Sequence, residues 1–273
     1  MFNDIITIGG VTQDINMYVD DCFLMDNPNK KDILRQKLFA FEYGAKINIK
    51  RIEYFFGGGA NNAAINFSNL GFRTAIFASL GGDEKAENIK KNLTSHKVNI
   101  DLLTSKSKLE TSFSFLVLGP DKEHVAFVNR SANKDLKVNK KVLNIFAKSK
   151  WLYITSLDGE WRKNLSEIFS LKNKKIKSPK IAWNPGGKQL GSGFKVLKKF
   201  FKDTEVLLFN KDEAIEILSS HPDYQTKKIS FFNNIKNILF AIKEMGPKIV
   251  VITNGREGAF AYDGSNIFFQ DIL

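Results

Sequence analysis

Short apolar runs alternate with amphipathic stretches through the second half of the chain, and this alternation limits the fold more than any other feature. Four runs have the length and composition of buried strands: 151–154, 180–183, 205–209 and 248–253. Stretches with apolar residues three or four positions apart separate them: 160–171, 194–201, 211–218 and 231–245. Strands that alternate with helices build a parallel sheet covered by helices on both faces. The sequence therefore predicts an α/β fold, a three-layer α/β/α sandwich with a mostly parallel central sheet.

The first half of the chain contains similar elements in a less regular order. The run Ile5–Ile8 predicts a buried strand before a Gly-Gly turn, 60–70 a helix and 73–80 a strand. Ligands bind parallel sheets of this kind at the carboxyl ends of the strands. We therefore expect the functional residues in the loops that follow Ile8, Trp183, Phe209 and Thr253.

One polar segment, 17–56, interrupts the alternation, and two strands are expected in it, around 38–41 and 45–52. A β-hairpin is expected at 111–128, where a Gly-Pro-Asp sequence supplies the turn. A small sheet outside the main one, placed over a binding cleft, acts as a lid. We expect one domain over residues 1–273, with lid segments at about 17–56 and 111–128.

The chain carries a net charge of +12, with lysine the main contributor. A basic surface either binds nucleic acid or an anionic ligand, or it solvates the exposed faces of helices. The lysines at 134–150 are interleaved with apolar residues as on an amphipathic helix, which favours solvated helix faces. No nucleic-acid-binding motif accompanies the charge, so we expect no nucleic-acid partner.

Other bulk features exclude several kinds of site and location. The single cysteine, Cys22, rules out a disulfide within the chain, and the three histidines lack metal-ligand spacing. The first residues lack the basic and apolar regions of a signal peptide, and no apolar run approaches the roughly 18 residues of a membrane span. The sequence therefore predicts a cytoplasmic protein without a membrane partner.

Three consecutive glycines, Gly57, Gly58 and Gly59, stand immediately before the helix expected at 60–70. Consecutive glycines let a ligand approach the backbone, and the N–H groups at a helix start attract polar or anionic groups. The amide of Asn62 adds a donor and an acceptor suited to hydroxyl groups. The residues alone allow two interpretations, a glycine turn that begins a helix or the edge of a binding site.

This glycine loop and the residues after it resemble the N-terminal signature of the PfkB/ribokinase family of carbohydrate kinases. The matching positions share the spacing of that signature: Gly58, Gly59, Ala60, Asn62, Ala64, Gly71 and Gly81. The resemblance extends over essentially the whole chain. It implies a ribokinase-like fold, phosphorylation of a hydroxyl on a sugar or related small molecule, and a substrate site that contains Gly57, Gly58, Gly59 and Asn62.

Asp14 follows the first strand, and the sequence alone allows a turn or capping residue or a ligand for hydroxyl groups. The family resemblance implies the second, because a family aspartate at this point holds sugar hydroxyls. It also implies a lid built from the segment after this aspartate and a later hairpin, in agreement with 17–56 and 111–128. A lid of this size would suit either a bulky substrate or a homodimer that forms through the lid sheet.

Two later loops match the nucleotide-binding elements of the family. Asn210 and Glu213 form an Asn-x-x-Glu pattern that is typical of a helix capping box and that, by the resemblance, also lies near ATP phosphates and Mg²⁺. Thr253, Gly255 and Gly258 match the family's Thr-x-Gly-x-x-Gly loop. The resemblance therefore implies ATP held by Asn210 and these three residues, with Mg²⁺ held indirectly through Glu213.

Two further segments resemble the family less completely. Arg130 lies in the segment that returns from the hairpin, and it could approach substrate or phosphate. Asn184 matches the asparagine of an Asp-x-Asn pattern found in many relatives, but Ala182 stands in place of the aspartate. We therefore interpret the residues around Asn184 as a turn.

The sequence offers no candidate for a catalytic base. Family members carry an Asp-Thr-x-Gly-Ala-Gly-Asp segment that supplies both base and anion-binding helix start, and no Gly-Ala-Gly-Asp occurs in this chain. Asp263 and Asp271 lack the flanking glycines. We expect the base beyond Leu273 in a longer polypeptide, so that the chain as given would be inactive. The alternatives are a relative that binds a sugar or nucleotide without catalysis and a nucleoside kinase of the same family, although the 57–64 loop slightly favours a pentose or hexose.

Overall fold

The computed structural model describes residues 3–29, 37–120, 123–173 and 178–272. Strands and helices are numbered in chain order. Within the described ranges the central sheet has eight strands. From one edge to the other they are β6 (Thr74–Phe77), β1 (Ile5–Ile8), β11 (Trp151–Ile154), β12 (Lys180–Trp183), β13 (Val206–Asn210), β14 (Ile249–Thr253), β15 (Ala259–Tyr262) and β16 (Ile267–Gln270). The first six are parallel, and β15 is antiparallel to both neighbours. The predicted α/β fold with a mostly parallel central sheet is confirmed.

Helices cover one face of this sheet from end to end. They are α3 (Lys140–Phe146), α4 (Trp161–Phe169), α5 (Gly187–Leu190), α6 (Phe194–Phe201), α7 (Lys211–Ser219), α8 (Ile229–Phe232) and α9 (Ile235–Glu244). Alternate residues of the strands point into this layer, and Ile6, Leu152, Trp183, Leu207 and Val250 are fully buried there. The alternation places the remaining strand residues on the opposite face.

That opposite face is only partly covered. α1 (Gly59–Asn69) and α2 (Glu84–Ser95) pack over β1 and β6 through a second apolar cluster. Beyond α1, a set of apolar side chains from β11, β12 and β13 lines a cavity of about 360 Å³: Trp151, Tyr153, Ala182, Val206 and Leu208. We call this set the open sheet face, because in the described part of the chain α1 borders it and no helix lies over it.

A separate four-stranded sheet has the order β10 (His124–Asn129), β9 (Phe113–Leu118), β2 (Thr12–Tyr18) and β5 (Arg51–Gly57). Two smaller pairs are β3 (Phe23–Asp26) with β4 (Lys37–Ala40), and β7 (Ser79–Gly81) with β8 (Thr104–Lys106). The small sheets expected outside the main one are therefore present. Parts of both predicted lid segments, residues 30–36 and 121–122, lie outside the described residues.

The structure corrects several element boundaries. A strand expected at 45–52 instead begins at Arg51 and ends at Gly57, and β2 was not expected as a strand. The run 73–80 is divided into β6 and β7, and the helix expected at 231–245 is two helices. Asn234 causes this last break, because its side chain caps α9 by accepting a hydrogen bond from the Lys236 N–H. Among the described residues, no helix has the length and apolar character needed to cross a membrane.

Candidate active site

The loops after β1, β11, β12, β13 and β14 meet along one edge of the central sheet, because these strands are parallel and adjacent. The glycine loop joins the same edge, because the Ala60 N–H donates to the carbonyl of Gly10 at 3.2 Å. The residues singled out from the sequence lie on this edge or on the strand β2 that follows it. Ligands of parallel sheets bind at such an edge.

Asp14 lies within β2 rather than in a turn or a cap. Its Oδ1 accepts a hydrogen bond from the Thr12 hydroxyl at 3.1 Å and a second from the Ser114 hydroxyl on the neighbouring strand β9. Gly57 closes β5 opposite Thr12, and a Cβ at Gly57 would overlap Asp14 Oδ2. The carboxylate is therefore fixed by two hydroxyl donors and lies directly against the glycine backbone.

Gly58 and Gly59 pack tightly on the ends of β1 and β11. Gly58 has a φ of 92°, a conformation that favours glycine, and a Cβ there would overlap the Gly10 carbonyl. A Cβ at Gly59 would lie 2.8 Å from the Thr155 side chain. Within the described residues no side chain caps α1, and the Ala60 N–H donates instead to the main-chain carbonyl of Gly10. The glycines thus have a packing role, and the loop fits closely against the carboxyl ends of β1 and β11.

The two asparagines at the start of α1 have different surroundings. Asn62, which was singled out from the sequence, is exposed, and its main-chain carbonyl accepts a hydrogen bond from the Asn66 side chain at 2.8 Å. Asn61 is fully buried and donates to the Phe56 carbonyl at 3.3 Å, while no donor in the described residues reaches its Oδ1. Asn61 anchors the loop and also donates to Asn62 Oδ1 at 3.4 Å, while the Asn62 side chain stays exposed to solvent.

Asn210 and Glu213 form the expected capping box at the start of α7. The Asn210 N–H donates to Glu213 Oε2 at 2.9 Å, and Asn210 Oδ1 accepts from the Glu213 N–H at 2.8 Å. Burial raises the pKa of the Glu213 carboxyl above its ordinary value, and hydrogen bonds from the Asn210 N–H and the Asn184 side chain oppose this effect. Glu213 is therefore a partly desolvated carboxylate at the carboxyl edge of the sheet.

Asn184 does more than form the turn that was predicted for it. Its side chain donates to the Leu208 carbonyl at 3.0 Å and also bonds to the Glu213 carboxylate. It therefore ties the loop after β12 to the start of α7. The sequence signal was the match of Asn184 to the family asparagine, which we discounted because Ala182 replaces the aspartate.

Thr253 ends β14 and begins a glycine-containing loop. Gly255 and Gly258 both have positive φ, 53° and 81°, and the Asn254 N–H donates to the Gly258 carbonyl at 2.8 Å. A Cβ at Gly258 would overlap the carbonyl of Gln270 on β16. The side chain of Thr253 is exposed at the edge, beside Asn210 on the neighbouring strand.

The predicted residues form two groups rather than one cluster. Asp14 and the glycine loop lie at β1, whereas Asn210, Glu213 and Thr253 lie at β13 and β14. Three strand spacings separate β1 from β13, a distance of roughly 14 Å. The two groups therefore lie on either side of the carboxyl ends of β11 and β12.

Two functional candidates escaped the sequence analysis because they depend on non-local contacts. Asn133, after β10, is buried and accepts a hydrogen bond from the Val11 N–H at 3.1 Å, which joins the hairpin to the turn after β1. Asp158, after β11, contacts both Arg130 and Lys188. Only Arg130 had a sequence signal, its place after the hairpin.

The described residues contain no cluster of three side chains that could hold a metal ion by themselves. Mg²⁺ is commonly bound by one or two carboxylates together with phosphates and water. Glu213, with Asp212 and Glu216 as charged neighbours on the same helix, fits that kind of site. It does not fit a metal centre built from protein ligands alone.

Comparisons with known proteins place the chain in a family. The model of the family described as pfkB family carbohydrate kinase matches residues 28–272. A nucleoside kinase from Methanothermobacter thermautotrophicus is 24% identical over 221 residues, which cover 78% of this chain and 63% of that protein. An ATP-dependent 6-phosphofructokinase from Thermoanaerobacterium thermosaccharolyticum is 20% identical over 236 residues, which cover 83% and 68%. The chain thus matches less than two thirds of the length of the nucleoside kinase.

Solved structures share the fold. An Arabidopsis thaliana ribokinase complexed with ribose and ATP superposes with a TM-score of 0.74 at 16% identity, covering 100% of this chain and 79% of that one. A Methanocaldococcus jannaschii nucleoside kinase has a TM-score of 0.69 at 18% identity, covering 100% and 78%. Because the family model spans most of its length, the chain belongs to the pfkB family of carbohydrate kinases.

Proposed function

We propose that this protein transfers the terminal phosphate of ATP to a hydroxyl group of a sugar or a nucleoside, with Mg²⁺. The observation that carries the proposal is the order of groups along the carboxyl edge of the central sheet. A fixed carboxylate, Asp14, lies beside a close-packed glycine loop at one end, and a glycine loop with Asn210 and Glu213 lies at the other. Carboxylates accept hydroxyl protons, and glycine loops with helix starts hold phosphates.

At the substrate end, Asp14 accepts hydrogen bonds from a substrate hydroxyl, and Gly57, Gly58 and Gly59 let the sugar approach the backbone. The exposed amide of Asn62 bonds a second hydroxyl. The contact between Gly57 and Asp14 Oδ2 supports this assignment, because any side chain at Gly57 would displace the carboxylate. A sugar and the ribose of a nucleoside both offer the required hydroxyl groups.

At the nucleotide end, Thr253, Gly255 and Gly258 contact the phosphates of ATP, and Asn210 holds the start of α7 against them. Glu213 holds Mg²⁺ through bound water, because its carboxylate already accepts the Asn210 N–H. When bound, the ion neutralises phosphate charge. The raised pKa of Glu213 supports this role, because a nearby cation would stabilise a carboxylate that is costly to charge in the free protein.

We further propose that the 273-residue chain has little or no kinase activity by itself. Asp263 accepts N–H bonds from Ser265 and Asn266 within a turn, and Asp271 accepts one from the Ile272 N–H. Asp14 is engaged by two hydroxyl donors. Each of these three carboxylates is thus held by donors within the described residues, and none of the three is placed to act as a general base. The same observation favours the second candidate, a relative that binds sugar or nucleotide without turnover.

The four-stranded sheet is proposed as a lid whose outer face joins two copies of the chain. Tyr54, Ile15, Phe115 and Phe127 lie side by side across its strands, on the face opposite Asp14. Tyr54 and Phe127 are 65% and 59% exposed. A row of exposed apolar residues on one sheet face is typical of a protein interface. Sedimentation of the chain and of Phe127→Lys tests this: the unaltered chain should form a dimer and the variant a monomer.

Two measurements on the same preparation test the catalytic proposal. Calorimetric titration with ADP, ribose, fructose and adenosine should show binding of ADP and of at least one acceptor. Asp14→Asn should weaken acceptor binding about tenfold or more, as loss of a charged hydrogen-bond acceptor does, without changing ADP binding. A coupled assay of ADP release should then show little or no turnover by the 273-residue chain, and clear turnover would overturn the proposal that this chain is inactive by itself. Absence of both ADP and acceptor binding would refute either function.

A further inference from the structure

One carboxylate at the carboxyl edge of the central sheet is shared by two cations. Asp158 Oδ1, on a side chain only 9% exposed, lies 2.6 Å from Lys188 Nζ and 3.4 Å from Arg130 Nε. A single carboxylate neutralises one of the two charges, so the group keeps one positive charge. Both cationic side chains are 42% exposed, so both are accessible to an anionic ligand. Asp158 Oδ1 accepts no hydrogen bond within the described residues, so its contacts with both cations are ion pairs. An ammonium group has three N–H donors and a guanidinium group five, more than one carboxylate oxygen can engage.

The backbones that carry Asp158 and Lys188 are held firmly together. The adjacent residue Gln189 is fully buried, and its Nε2 donates to the Leu157 carbonyl at 2.7 Å. Its Oε1 accepts from the Gly186 N–H at 3.1 Å. The loops after β11 and β12 are therefore cross-linked beside the ion pair, and the surplus charge has a defined position.

The strand order places this charge between the two ends of the proposed cleft. Asp158 follows β11 and Lys188 follows β12, while Asp14 lies at β1 and Asn210 at β13. A phosphate that extends from the nucleotide end towards the acceptor hydroxyl must cross β11 and β12. Arg130, at the end of the hairpin, approaches the same point from the four-stranded sheet.

Shared carboxylates occur elsewhere in this basic chain, but in different places. Two of them lie at the amino ends of the central strands: Asp4 with Arg73 and Lys150, and Glu205 with Lys180 and Lys248. Ligands of open parallel sheets bind at the opposite edge, outside the carboxyl ends of the strands. A third, Asp135 with Lys106 and Lys137, is 27% exposed. Asp158 is more buried than these three and lies at the ligand-binding edge, which singles out its cations.

We propose that Lys188, assisted by Arg130, binds the terminal phosphate of the nucleoside triphosphate and so distinguishes ATP from ADP. The inference rests on the proposed nucleotide site and adds a residue to it. An ammonium group is a compact charge suited to a terminal phosphate, and hydrogen bonds between ionised groups are the strong ones. The same cations would also attract a phosphate carried by the acceptor, so the test separates the two sources.

The test compares the affinities for AMP-PNP, an ATP analogue that resists hydrolysis, and for ADP, both with Mg²⁺, by calorimetry. Lys188→Gln should lower AMP-PNP affinity about ten- to a hundredfold and change ADP affinity less than about twofold. Lys188→Arg should restore most of the AMP-PNP affinity. Lys163→Gln, which removes an exposed lysine paired with Glu160 on α4, is the matched control and should change neither affinity.

The possible results separate a failure of the Lys188 inference from a failure of the proposed nucleotide-binding function. If the unaltered chain does not bind ADP, the proposed nucleotide site is wrong, and the inference falls with it. If ADP binds but Lys188→Gln leaves the ratio of the two affinities unchanged, only the inference is overturned. If Lys188→Gln instead weakens fructose 6-phosphate relative to fructose while AMP-PNP is unaffected, the cations serve the acceptor, and the inference is again overturned.

Discussion

Asn210 and Thr253 are register partners at the carboxyl ends of β13 and β14, so the sheet itself holds the start of α7 beside the Thr253 loop. The two halves of the proposed nucleotide site are far apart in sequence, yet their relative position depends only on strand pairing. Strand pairing is rigid compared with loop contacts. The site should therefore tolerate changes in side chains without losing its shape.

The first prediction follows from that arrangement. Thr253→Val keeps the size and branching of the side chain and removes its hydroxyl, and the side chain is exposed, so the fold should be unaffected. Loss of one hydrogen bond to a charged phosphate should weaken ADP binding about tenfold. Thr253→Ser should bind as the unaltered chain does. Equal ADP affinity for the valine and serine variants in calorimetry would remove Thr253 from the site.

The second prediction concerns the contact between Gly57 and Asp14. Gly57→Ala places a methyl group on Asp14 Oδ2 and must displace the carboxylate from its hydroxyl donors. We expect a loss of about 1–3 kcal/mol in unfolding free energy, typical of overpacking, together with weaker acceptor binding. Gly187→Ala is the control, because a Cβ there meets no atom within 4 Å. Urea denaturation of both variants measures the difference, and similar curves would show that Asp14 can move freely.

The third prediction uses the raised pKa of Glu213, which burial causes. Above the ordinary pKa of glutamate, the folded state binds more protons than the unfolded state, so Glu213 lowers stability as pH rises through the folded pKa. Glu213→Gln keeps an oxygen for the Asn210 N–H and cannot ionise. The variant should therefore gain stability relative to the unaltered chain between about pH 4 and pH 7. Thermal unfolding at both pH values measures this, and a constant difference would contradict burial as the cause.

The fourth prediction concerns Thr111, which is fully buried beneath the start of α2. Its N–H and hydroxyl donate to Asp83 at 2.8 and 2.5 Å, and its hydroxyl accepts from the Gly81 N–H. Thr111→Val should cost about 1–3 kcal/mol of unfolding free energy, because it leaves buried polar groups without a partner. Thr94→Val, which removes an exposed hydroxyl on α2, should cost much less.

The pH dependence of that cost provides a second check. Burial alone would raise the pKa of Asp83, but hydrogen bonds from Thr111 and Ala86 outweigh it and hold the pKa below the ordinary value. A carboxylate with a lowered folded pKa stabilises the fold above its unfolded pKa and loses that contribution as pH falls through the folded value. The cost of Thr111→Val should therefore shrink in acid. A cost that stays constant down to about pH 3 would mean that the charge of Asp83 is not involved.

The sequence predicted the central sheet well and the four-stranded sheet poorly, for one physical reason. The strands β11 and β12 begin and end where expected, because helices bury one face of each strand and the residues on the other face are mostly apolar too, which leaves a continuous apolar run. In β2, all seven residues are partly exposed and several are polar, so no alternation marks the strand. Its existence depends on pairing with β5 and β9, which are distant in sequence.

The candidate site also combines features that local sequence predicts with features that depend on distant contacts. The capping box of Asn210 and Glu213 was predictable because its two members are three residues apart on one helix. The ion pairs that Asp158 forms with Arg130 and Lys188 were not predictable from the sequence, because the three loops that carry these residues meet only after the sheet has formed. Local patterns thus identify the loops of the site, whereas the charge between them depends on tertiary structure.

The open sheet face also affects how the chain responds to heat. Unfolding raises the heat capacity mainly by hydrating apolar surface that was buried in the folded state. Side chains such as Trp151 and Leu208 are already partly hydrated in the folded chain and contribute less to that rise. The stability of this chain should therefore vary with temperature along a flatter curve than that of a protein of equal length whose sheet is covered on both faces.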